Sequence, residues 1–318
     1  MRAPGHPILL SEFEVDVTTG LSKPGQKELY SKYFYDDLGS ALFDAITLLP
    51  EYGLTRADTR LLRRNVRDLG MRVGNRSVVV ELGSGSGDKA RQVLPYLAAE
   101  QALMYCPIDL SGAALKHSVR DLVDIRNLRI VPIENSYISG LREATRFRPA
   151  GTSVVVLFLG SSIGNFEPPV AVDFLKSVRQ SLEPGDVLLL STDLVKSLDR
   201  MLAAYDDSLG ITAAFNLNLL ARINRELGAD FNLRNFQHEA RYREEEQRIE
   251  MHLRSKVRQR ITIRNFVVDL EEGETIWTES SYKFLPEQVR WMAERAGFRC
   301  ELQWLDDEWP FAQSLLRV

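Results

Sequence analysis

The sequence has few residues of the kinds that build metal centres or disulfide frameworks. Its 318 residues include only two cysteines and four histidines. Cys106 and Cys300 are far apart and form no C-x-x-C pair, and the histidines show no ligand-like spacing. We therefore expect neither a disulfide framework nor a bound metal.

Long apolar runs and an excess of basic charge are also lacking. No stretch approaches the ~18 consecutive apolar residues that span a membrane, and the run Ile8–Leu10 is too short for a signal peptide. A net charge of -4 does not suit a nucleic-acid-binding protein, which normally carries a basic surface. We expect a cytoplasmic protein with no membrane or nucleic-acid partner. Because no long apolar stripe indicates an obligate interface, we also expect a monomer.

Short β-rich segments alternate with helix-like segments over the middle of the chain. Several are nearly continuous apolar runs, which are typical of parallel strands buried on both faces. The predicted strands are Ser77–Gly83, Leu103–Ser111, Leu128–Ile133, Thr152–Gly160 and Asp186–Val195, and the helices between them are Asp88–Glu100, Gly112–Ile125 and Pro168–Leu182. This alternation predicts an α/β fold with a Rossmann-like, doubly wound sheet.

Two regions interrupt that alternation and predict a second, smaller α+β domain. We expect residues 57–195 and 284–318 to form the Rossmann-like domain, and residues 1–56 and 196–283 to form the other. The elements predicted after residue 195 are helices Leu198–Leu209, Ala213–Leu227 and Pro286–Ala296, and strands Arg248–Arg258, Ile261–Leu270, Thr275–Phe284, Cys300–Trp304 and Gln313–Val318.

A glycine-rich loop follows the first predicted strand. The segment Glu81–Lys89 lacks the G-x-x-x-x-G-K-[ST] pattern of a phosphate-binding loop, and Asp88 breaks the G-x-G-x-x-G dinucleotide pattern. It matches E-x-G-x-G-x-G, which is typical of class I methyltransferases, and its carboxylate suits a cationic sulfonium. Asp109 ends the second strand, where an acid binds ribose hydroxyls. Because that acid serves both chemistries, NAD binding stays open at this point.

Ten short motifs are spread along essentially the whole chain: Lys32–Ser40, Leu49–Tyr52 with Thr55-Arg56, Glu81–Gly85 with Lys89, Phe158–Asn165, Thr192–Lys196, Ala204–Asp207, Thr212–Asn216, Asn224–Leu227, Arg248–Met251 and Thr278–Ser281. Together they resemble the motifs of the histidine Nα-methyltransferases of ergothioneine biosynthesis. Each motif is weak alone, but ten in the family's order are specific.

The resemblance implies three successive methyl transfers from S-adenosylmethionine to the α-amino nitrogen of L-histidine, giving hercynine. The implied cofactor residues are Glu81, Gly83, Gly85, Lys89, Asp109, Ser136, Tyr137 and Ser162. The implied substrate residues are Tyr52, Gly160, Asn165, Tyr205, Phe215, Met251, Glu279 and Ser281, and Tyr35 is the catalytic candidate beside the amine. Ser136 is a departure, because the family usually places an acid there, followed by an aromatic residue.

The residue chemistry is consistent with these roles. Glu279 and Ser281 are two apart on a predicted strand, so both side chains share a face and can bind the two imidazole nitrogens. Tyr35 suits an orienting role, since a carboxylate base would hold the amine protonated. Without the resemblance, Glu279 would be interpreted as an exposed carboxylate beside Lys283, and Asn165 as a turn residue.

Three alternatives remain on the sequence alone. The enzyme could methylate another amino acid such as tryptophan, or it could be a nicotinamide-dependent oxidoreductase. It could also be a non-catalytic module that binds S-adenosylmethionine.

Overall fold

The computed structural model describes residues 11–74, 76–99 and 101–318. His6, the Ile8–Leu10 run and the predicted helix end at Glu100 lie outside these residues. Across the described chain, no helix is both long and apolar enough to cross a membrane. The chain divides into two compact units. The large unit comprises residues 52–198, 244–248 and 281–318, and the small unit comprises described residues up to 51 with 199–243 and 249–280.

The helices and strands are numbered in chain order. The α-helices of the described chain are Glu12–Leu21 (α1), Asp37–Thr47 (α2), Gly53–Val73 (α3), Ala90–Leu97 (α4), Gly112–Leu122 (α5), Tyr137–Ala144 (α6), Pro168–Gln180 (α7), Leu198–Ala203 (α8), Ile211–Leu227 (α9) and Pro286–Arg295 (α10). The strands there are Lys27–Glu28 (β1), Arg76–Leu82 (β2), Leu103–Asp109 (β3), Leu128–Ile130 (β4), Ile133–Glu134 (β5), Ser153–Phe158 (β6), Val187–Asp193 (β7), Phe236–Arg243 (β8), Arg248–Ser255 (β9), Gln259–Ile263 (β10), Phe266–Leu270 (β11), Thr275–Tyr282 (β12), Arg299–Leu305 (β13) and Phe311–Arg317 (β14).

The large unit is built on one twisted sheet. Its strand order is β13-β14-β7-β6-β2-β3-β4, and β5 pairs with the end of β3. The pairs from β4 to β7 are parallel, whereas β14 runs antiparallel to both neighbours. The chain leaves β2 toward β4 and returns to β6, so the strand order reverses between β2 and β6. Open α/β sheets bind ligands at the carboxyl edge of such a switch point.

Alternate residues of the central strands pack into two separate cores. Val78 and Val80 face one core together with α6, α7 and α10, whereas Val79 faces the other together with α3 and α4. All three valines are fully buried. Helices on both faces explain why these strands are apolar at every position, and the predicted α/β, Rossmann-like fold is confirmed.

The small unit combines helices with two β-sheets. Strands β1, β12, β9 and β8 form a four-stranded sheet, and β10 and β11 form a hairpin. Asp36 accepts a hydrogen bond from the Gly39 amide at the start of α2. Asp207 similarly accepts from the amides of Ile211 and Thr212 at the start of α9. These caps begin the two helices, which pack against each other.

Several predicted elements are wrong in detail within the small unit. The predicted single strand Ile261–Leu270 is instead the hairpin β10–β11, which turns at Arg264, whose φ is +53°. The predicted helix Leu198–Leu209 ends at Ala203, and the strand predicted to reach Arg258 ends at Ser255. Apolar spacing alone misses such turns because Arg264 and its neighbours carry no glycine or proline.

Candidate active site

The glycine-rich loop follows β2 at the switch point. Gly83, Gly85 and Gly87 all have positive φ, at +73°, +50° and +83°, which only glycine adopts readily. The amides of Gly83 and Ser84 donate to the carbonyl of Ile108, at 2.8 and 3.2 Å. A Cβ atom at Gly83 would lie 3.0 Å from the Tyr137 hydroxyl. Glycine at these positions therefore allows the conformation of the loop and its close packing against Tyr137, and it leaves no side chain over the backbone at Gly85, where nothing lies within 4 Å of an added Cβ.

Asp109 ends β3 beside this loop, with its carboxylate held by backbone amides. Oδ2 accepts from the Gly85 amide at 3.2 Å, and Oδ1 accepts from the Ser111 amide at 2.9 Å. Each oxygen has a further lone pair for a hydroxyl donor. This geometry suits a ribose diol, which is the role predicted for Asp109.

Glu81 lies within β2 and is almost fully buried. Burial raises the pKa of its carboxyl to about 7, although a hydrogen bond from the Tyr105 hydroxyl and the charge of Lys89 act in the opposite direction. A carboxyl group with a pKa of about 7 ionises more readily when a cation lies beside it. The structure therefore supports the sequence argument that Glu81 suits a sulfonium ligand.

Ser136 and Tyr137 lie next to Asp109. The Asn135 amide donates to the Asp109 carbonyl at 3.2 Å, and Ser136 is the N-cap residue that precedes α6. The Tyr137 ring packs edge-on against Phe158, with ring centroids 5.6 Å apart. Its pKa is raised to about 12 by burial and by the charge of Asp109. The loop, Asp109 and Tyr137 thus form one cluster.

A buried acid, Asp58 of α3, organises the loop after β6. Its carboxylate accepts from the Gly160 amide at 2.7 Å, from Ser191 at 2.7 Å and from Gln313 at 2.6 Å. Lys89 Nζ lies 3.9 Å from the same carboxylate. A Cβ atom at Gly160, whose φ is +74°, would lie 2.6 Å from Lys89 Nζ. Asp58 therefore brings predicted residues Lys89 and Gly160 together.

The segment after Gly160 carries two further predicted residues in a short 3-10 helix, Ser162–Asn165. Ser162 Oγ donates to the Leu159 carbonyl at 3.2 Å. Ser161 precedes them with a left-handed φ of +62°, and its hydroxyl accepts from the Asp193 amide at 2.8 Å. This bond fixes the turn that presents Asn165 at the carboxyl edge of β6.

A buried charged cluster surrounds Asp193, at the end of β7. Lys196 Nζ lies 2.6 Å from Oδ1, and Lys283 Nζ lies 3.1 Å from Oδ2. The Trp309 indole also donates to Oδ1, at 2.9 Å. Burial would raise the pKa of Asp193, but the two ammonium groups outweigh it and hold the pKa below its usual value. Lys283 additionally donates to Ser281 Oγ at 2.8 Å.

In the small unit, Tyr35 lies in an aromatic cluster. Its ring centroid is 5.6 Å from that of Phe43 and 5.8 Å from that of Phe215, which stacks on Phe34 at 4.5 Å. Tyr35 is 38% exposed, whereas Phe215 is buried. The structure thus brings together the catalytic candidate Tyr35 and the predicted substrate residue Phe215.

The remaining predicted substrate residues have defined positions. Tyr205 is buried, and its carbonyl accepts from His238, whose other ring nitrogen bonds to Asn216. Met251 of β9 is buried, and its carbonyl accepts from Thr278. Tyr52 is buried at the start of α3 in the large unit. Glu279 and Ser281 both lie on β12, two residues apart. Glu279 is half-buried, and Ser281 is buried.

The predicted residues therefore divide between the units. All eight cofactor candidates lie in the large unit, as do the substrate candidates Tyr52, Gly160, Asn165 and Ser281. The others belong to the small unit: Tyr35, Tyr205, Phe215, Met251 and Glu279. Among the described residues, no group of three or more His, Cys, Asp or Glu side chains is arranged to hold a metal ion.

Comparison with known proteins identifies the family. Residues 13–318 match the family described as histidine-specific methyltransferase, SAM-dependent. The chain belongs to this family. It is 40% identical over 304 residues to the histidine N-alpha-methyltransferase of Mycolicibacterium smegmatis, covering 94% of this chain and 93% of that protein. The predicted family and its methyltransferase activity are therefore confirmed, and the oxidoreductase alternative is dropped.

Two fungal relatives are more distant. Ergothioneine biosynthesis protein 1 of Neurospora crassa is 30% identical over 207 residues, which cover 65% of this chain and 24% of that protein. The L-tryptophan methyltransferase of Psilocybe serbica is 28% identical over 328 residues, covering 94% of this chain and 90% of that protein.

Three groups that shape the candidate site of this methyltransferase are not among the residues predicted from the sequence. Asp58 lies 102 residues before Gly160, which its carboxylate binds, and Tyr105 lies 24 residues after Glu81. Lys283 contacts Asp193 from another part of the chain. One signal was available for Lys283, since it follows Ser281 by two residues and so shares its strand face. No signal in one sequence marks Asp58.

Proposed function

We propose that this protein transfers three methyl groups in succession to the α-amino nitrogen of L-histidine, giving hercynine in the first step of ergothioneine biosynthesis. The family match supports a histidine-specific enzyme. The observation that carries the substrate assignment is the pair Glu279 and Ser281, placed two residues apart on β12. A carboxylate and a hydroxyl on one strand face match the two nitrogens of imidazole.

The same pair disfavours tryptophan as the substrate. An indole ring has one N–H donor and no ring acceptor, so it would leave either the carboxylate or the hydroxyl without a partner. Unsatisfied buried polar groups are costly, and this cost is the usual source of strong discrimination between ligands.

The large unit holds the residues that suit S-adenosylmethionine. We assign the ribose hydroxyls to Asp109, the loop contacts to Gly83, Gly85 and Lys89, and the sulfonium charge to Glu81. Ser136, Tyr137 and Ser162 complete this set. The oriented carboxylate of Asp109 and the positive φ angles of the glycine loop support the assignment. When bound, the cofactor supplies a methyl group from its sulfonium sulfur, and the sulfur keeps the electron pair of the broken bond.

The substrate is assigned to residues with matching chemistry. Tyr52, Gly160, Asn165 and Tyr205 hold the α-carboxylate and the amino end, and Phe215 and Met251 form apolar walls. We propose the Rossmann-like domain as the cofactor-binding domain, and residues 1–56 with 196–283 as the substrate-binding domain.

Tyr35 orients the reacting amine. The nitrogen must be neutral to attack, and apolar surroundings disfavour its charged form. The rings of Phe43 and Phe215 beside Tyr35 support such surroundings. A tyrosine hydroxyl accepts a hydrogen bond without fixing the ammonium form as a carboxylate would. After each of the first two transfers the nitrogen loses a proton, whereas the third gives a quaternary amine with no proton to lose.

We further propose that the enzyme works as a cytoplasmic monomer without a metal. The two cysteines are free thiols, as expected in a reducing compartment.

Mass spectrometry of a timed reaction tests the proposed chemistry. Purified protein incubated with S-adenosylmethionine and L-histidine should yield histidine carrying one, two and finally three added methyl groups. A product that stops at one methyl group, or methylation of a ring nitrogen, would contradict the proposal.

A further inference from the structure

His238 of β8 lies at the centre of a buried chain of hydrogen bonds in the small unit. Its Nε2 atom is 2.7 Å from the Tyr205 carbonyl oxygen, and its Nδ1 atom is 2.9 Å from the Asn216 side-chain nitrogen. The same Asn216 nitrogen donates to the His252 carbonyl at 3.1 Å. His238, Asn216 and His252 are all buried. Because buried polar groups are costly without partners, these bonds hold the groups that they join in fixed positions.

The two ends of this chain place the same single proton on the His238 ring. A carbonyl oxygen can only accept, so Asn216 must turn its NH2 group toward His252, and the same group donates to His238 Nδ1. Nδ1 therefore accepts and carries no proton. The Tyr205 carbonyl also can only accept, so Nε2 carries the proton and donates it. His238 is thus neutral, in the Nε2–H tautomer.

The imidazolium form of His238 does not fit this arrangement. A second proton, on Nδ1, would face the NH2 group of Asn216, and two donors cannot bond to each other. Burial lowers the pKa of His238 below its ordinary value of 6.5, although the bond to the carbonyl oxygen and three carboxylates act in the opposite direction, those of Asp206, Asp207 and Glu239. The ring is therefore neutral at pH 8, which is the form that its hydrogen bonds require.

Each partner in this chain is, or directly follows, a residue assigned to the substrate. Tyr205 is itself assigned to the α-carboxylate and amino end. Asn216 follows the wall residue Phe215 on α9. His252 follows the other wall residue, Met251, on β9. One imidazole ring and one amide group therefore link three substrate residues that come from separate segments of the chain.

We propose that neutral His238 is a positioning residue for the amino-acid substrate, because its Nε2–H group holds the Tyr205 backbone in register with Phe215 and Met251. The inference rests on the proposed assignment of these three residues to L-histidine. Both ring nitrogens of His238 already bond within the chain of hydrogen bonds, so His238 acts through the backbone that it holds.

Two substitutions of His238 separate its two hydrogen bonds. His238→Gln places an amide N–H near the Nε2 position and keeps a donor for Tyr205, whereas His238→Asn keeps only an acceptor near the Nδ1 position. Calorimetry at pH 8 with saturating S-adenosylhomocysteine gives the Kd of L-histidine without turnover. This Kd should stay within about threefold of the wild-type value in His238→Gln and rise about tenfold in His238→Asn, the usual effect of one lost buried hydrogen bond.

The cofactor provides an internal control in the same proteins. The Kd of S-adenosylhomocysteine should be unchanged in both variants, because all residues assigned to the cofactor lie in the large unit. His117→Gln is the matched control and should bind both ligands as the wild type does, since His117 is an exposed residue of α5 that pairs with Asp121 at 3.3 Å. A lower melting temperature with an unchanged Kd for L-histidine in His238→Asn would show a purely structural role and overturn the inference.

Nuclear magnetic resonance of the imidazole nitrogens tests the tautomer in the unaltered protein. The chain has only four histidines, so the signals of His238 are those that His238→Gln lacks. At pH 8, Nε2 should carry the proton and Nδ1 should carry none. A proton on Nδ1 would overturn the inference, whether or not His238→Asn folds. Failure of the wild type to bind L-histidine, with the expected tautomer present, would instead overturn the proposed function.

Discussion

Glu81 combines deep burial with a position at the start of the cofactor loop. Its pKa of about 7 lies above the ordinary value of 4.5, mainly because burial disfavours the ion. Since the folded pKa is the higher one, unliganded protein loses stability from this group as pH rises from about 4.5 to about 7. A sulfonium cation nearby instead favours the ionised carboxylate of Glu81 over its protonated form.

S-adenosylmethionine should therefore bind more weakly in mild acid. Between pH 8 and pH 6, the ionised fraction of Glu81 falls about tenfold, and the Kd for S-adenosylmethionine should rise by a similar factor. S-adenosylhomocysteine has no sulfonium charge and should show a much smaller change. Glu81→Gln should flatten the dependence, because its amide oxygen still accepts from Tyr105. Equal pH dependence of the two ligands, measured by calorimetry, would refute the role of Glu81.

Replacement of Glu279 tests whether this carboxylate binds the imidazole ring of histidine. Glu279→Ala removes the acceptor for the ring N–H, so kcat/KM for L-histidine should fall at least a hundredfold, about 3 kcal/mol. Selectivity against phenylalanine should fall with it. Lys176→Met serves as the control, because Lys176 is a half-exposed residue of α7 that pairs with exposed Asp173. Unchanged histidine kinetics in Glu279→Ala would show that the imidazole is bound elsewhere.

Individual residues were predictable only where a local pattern marks them. The glycine loop begins at the end of the first predicted strand, Asp109 lies near the end of the second, and Glu279 and Ser281 show period-two spacing. Asp58 has no such pattern, because its role depends on Gly160, Ser191 and Gln313, which the fold gathers from distant positions. The Lys283–Asp193 contact likewise joins segments that one sequence does not relate.

At the level of elements, the loop after β6 depends on a glycine. Gly160→Ala introduces a side chain at φ +74° and places it against Lys89 Nζ. Gly151→Ala, at φ +77° with nothing within 4 Å of the added atom, imposes similar backbone strain away from the site. Both should lose about 1–2 kcal/mol of unfolding free energy.

Only Gly160→Ala should also weaken cofactor binding, since it displaces the Lys89 ammonium. Thermal unfolding and calorimetry on both variants separate the two effects. Equal Kd values for S-adenosylmethionine in Gly151→Ala and Gly160→Ala would show that the contact with Lys89 does not matter.

The strands of the large unit were predictable because burial on both faces requires nearly continuous apolar runs in the sequence. Val154, Val155 and Val156 are apolar in sequence since each packs into one of two helix-covered cores. In the small unit, the sequence patterns that indicate strands and turns are weaker. The β10–β11 hairpin turns without glycine or proline, and β8 was not predicted because polar residues fill much of it.

For the whole molecule, ligand-dependent stability tests the class of cofactor. A ligand that binds only the folded protein raises the melting temperature by mass action. Saturating S-adenosylhomocysteine, at about a hundred times its Kd, should stabilise the protein by about 2.7 kcal/mol, whereas NAD should have no effect. Stabilisation by NAD alone would contradict the assignment of the glycine loop.

The central claim is that the intact enzyme trimethylates histidine selectively. The most direct test is incubation with S-adenosylmethionine and each of the twenty amino acids, with the products identified by mass spectrometry. Only L-histidine should give a trimethylated product, with all three methyl groups on the α-amino nitrogen. Methylation of tryptophan or another amino acid at a comparable rate would contradict the roles of Glu279 and Ser281.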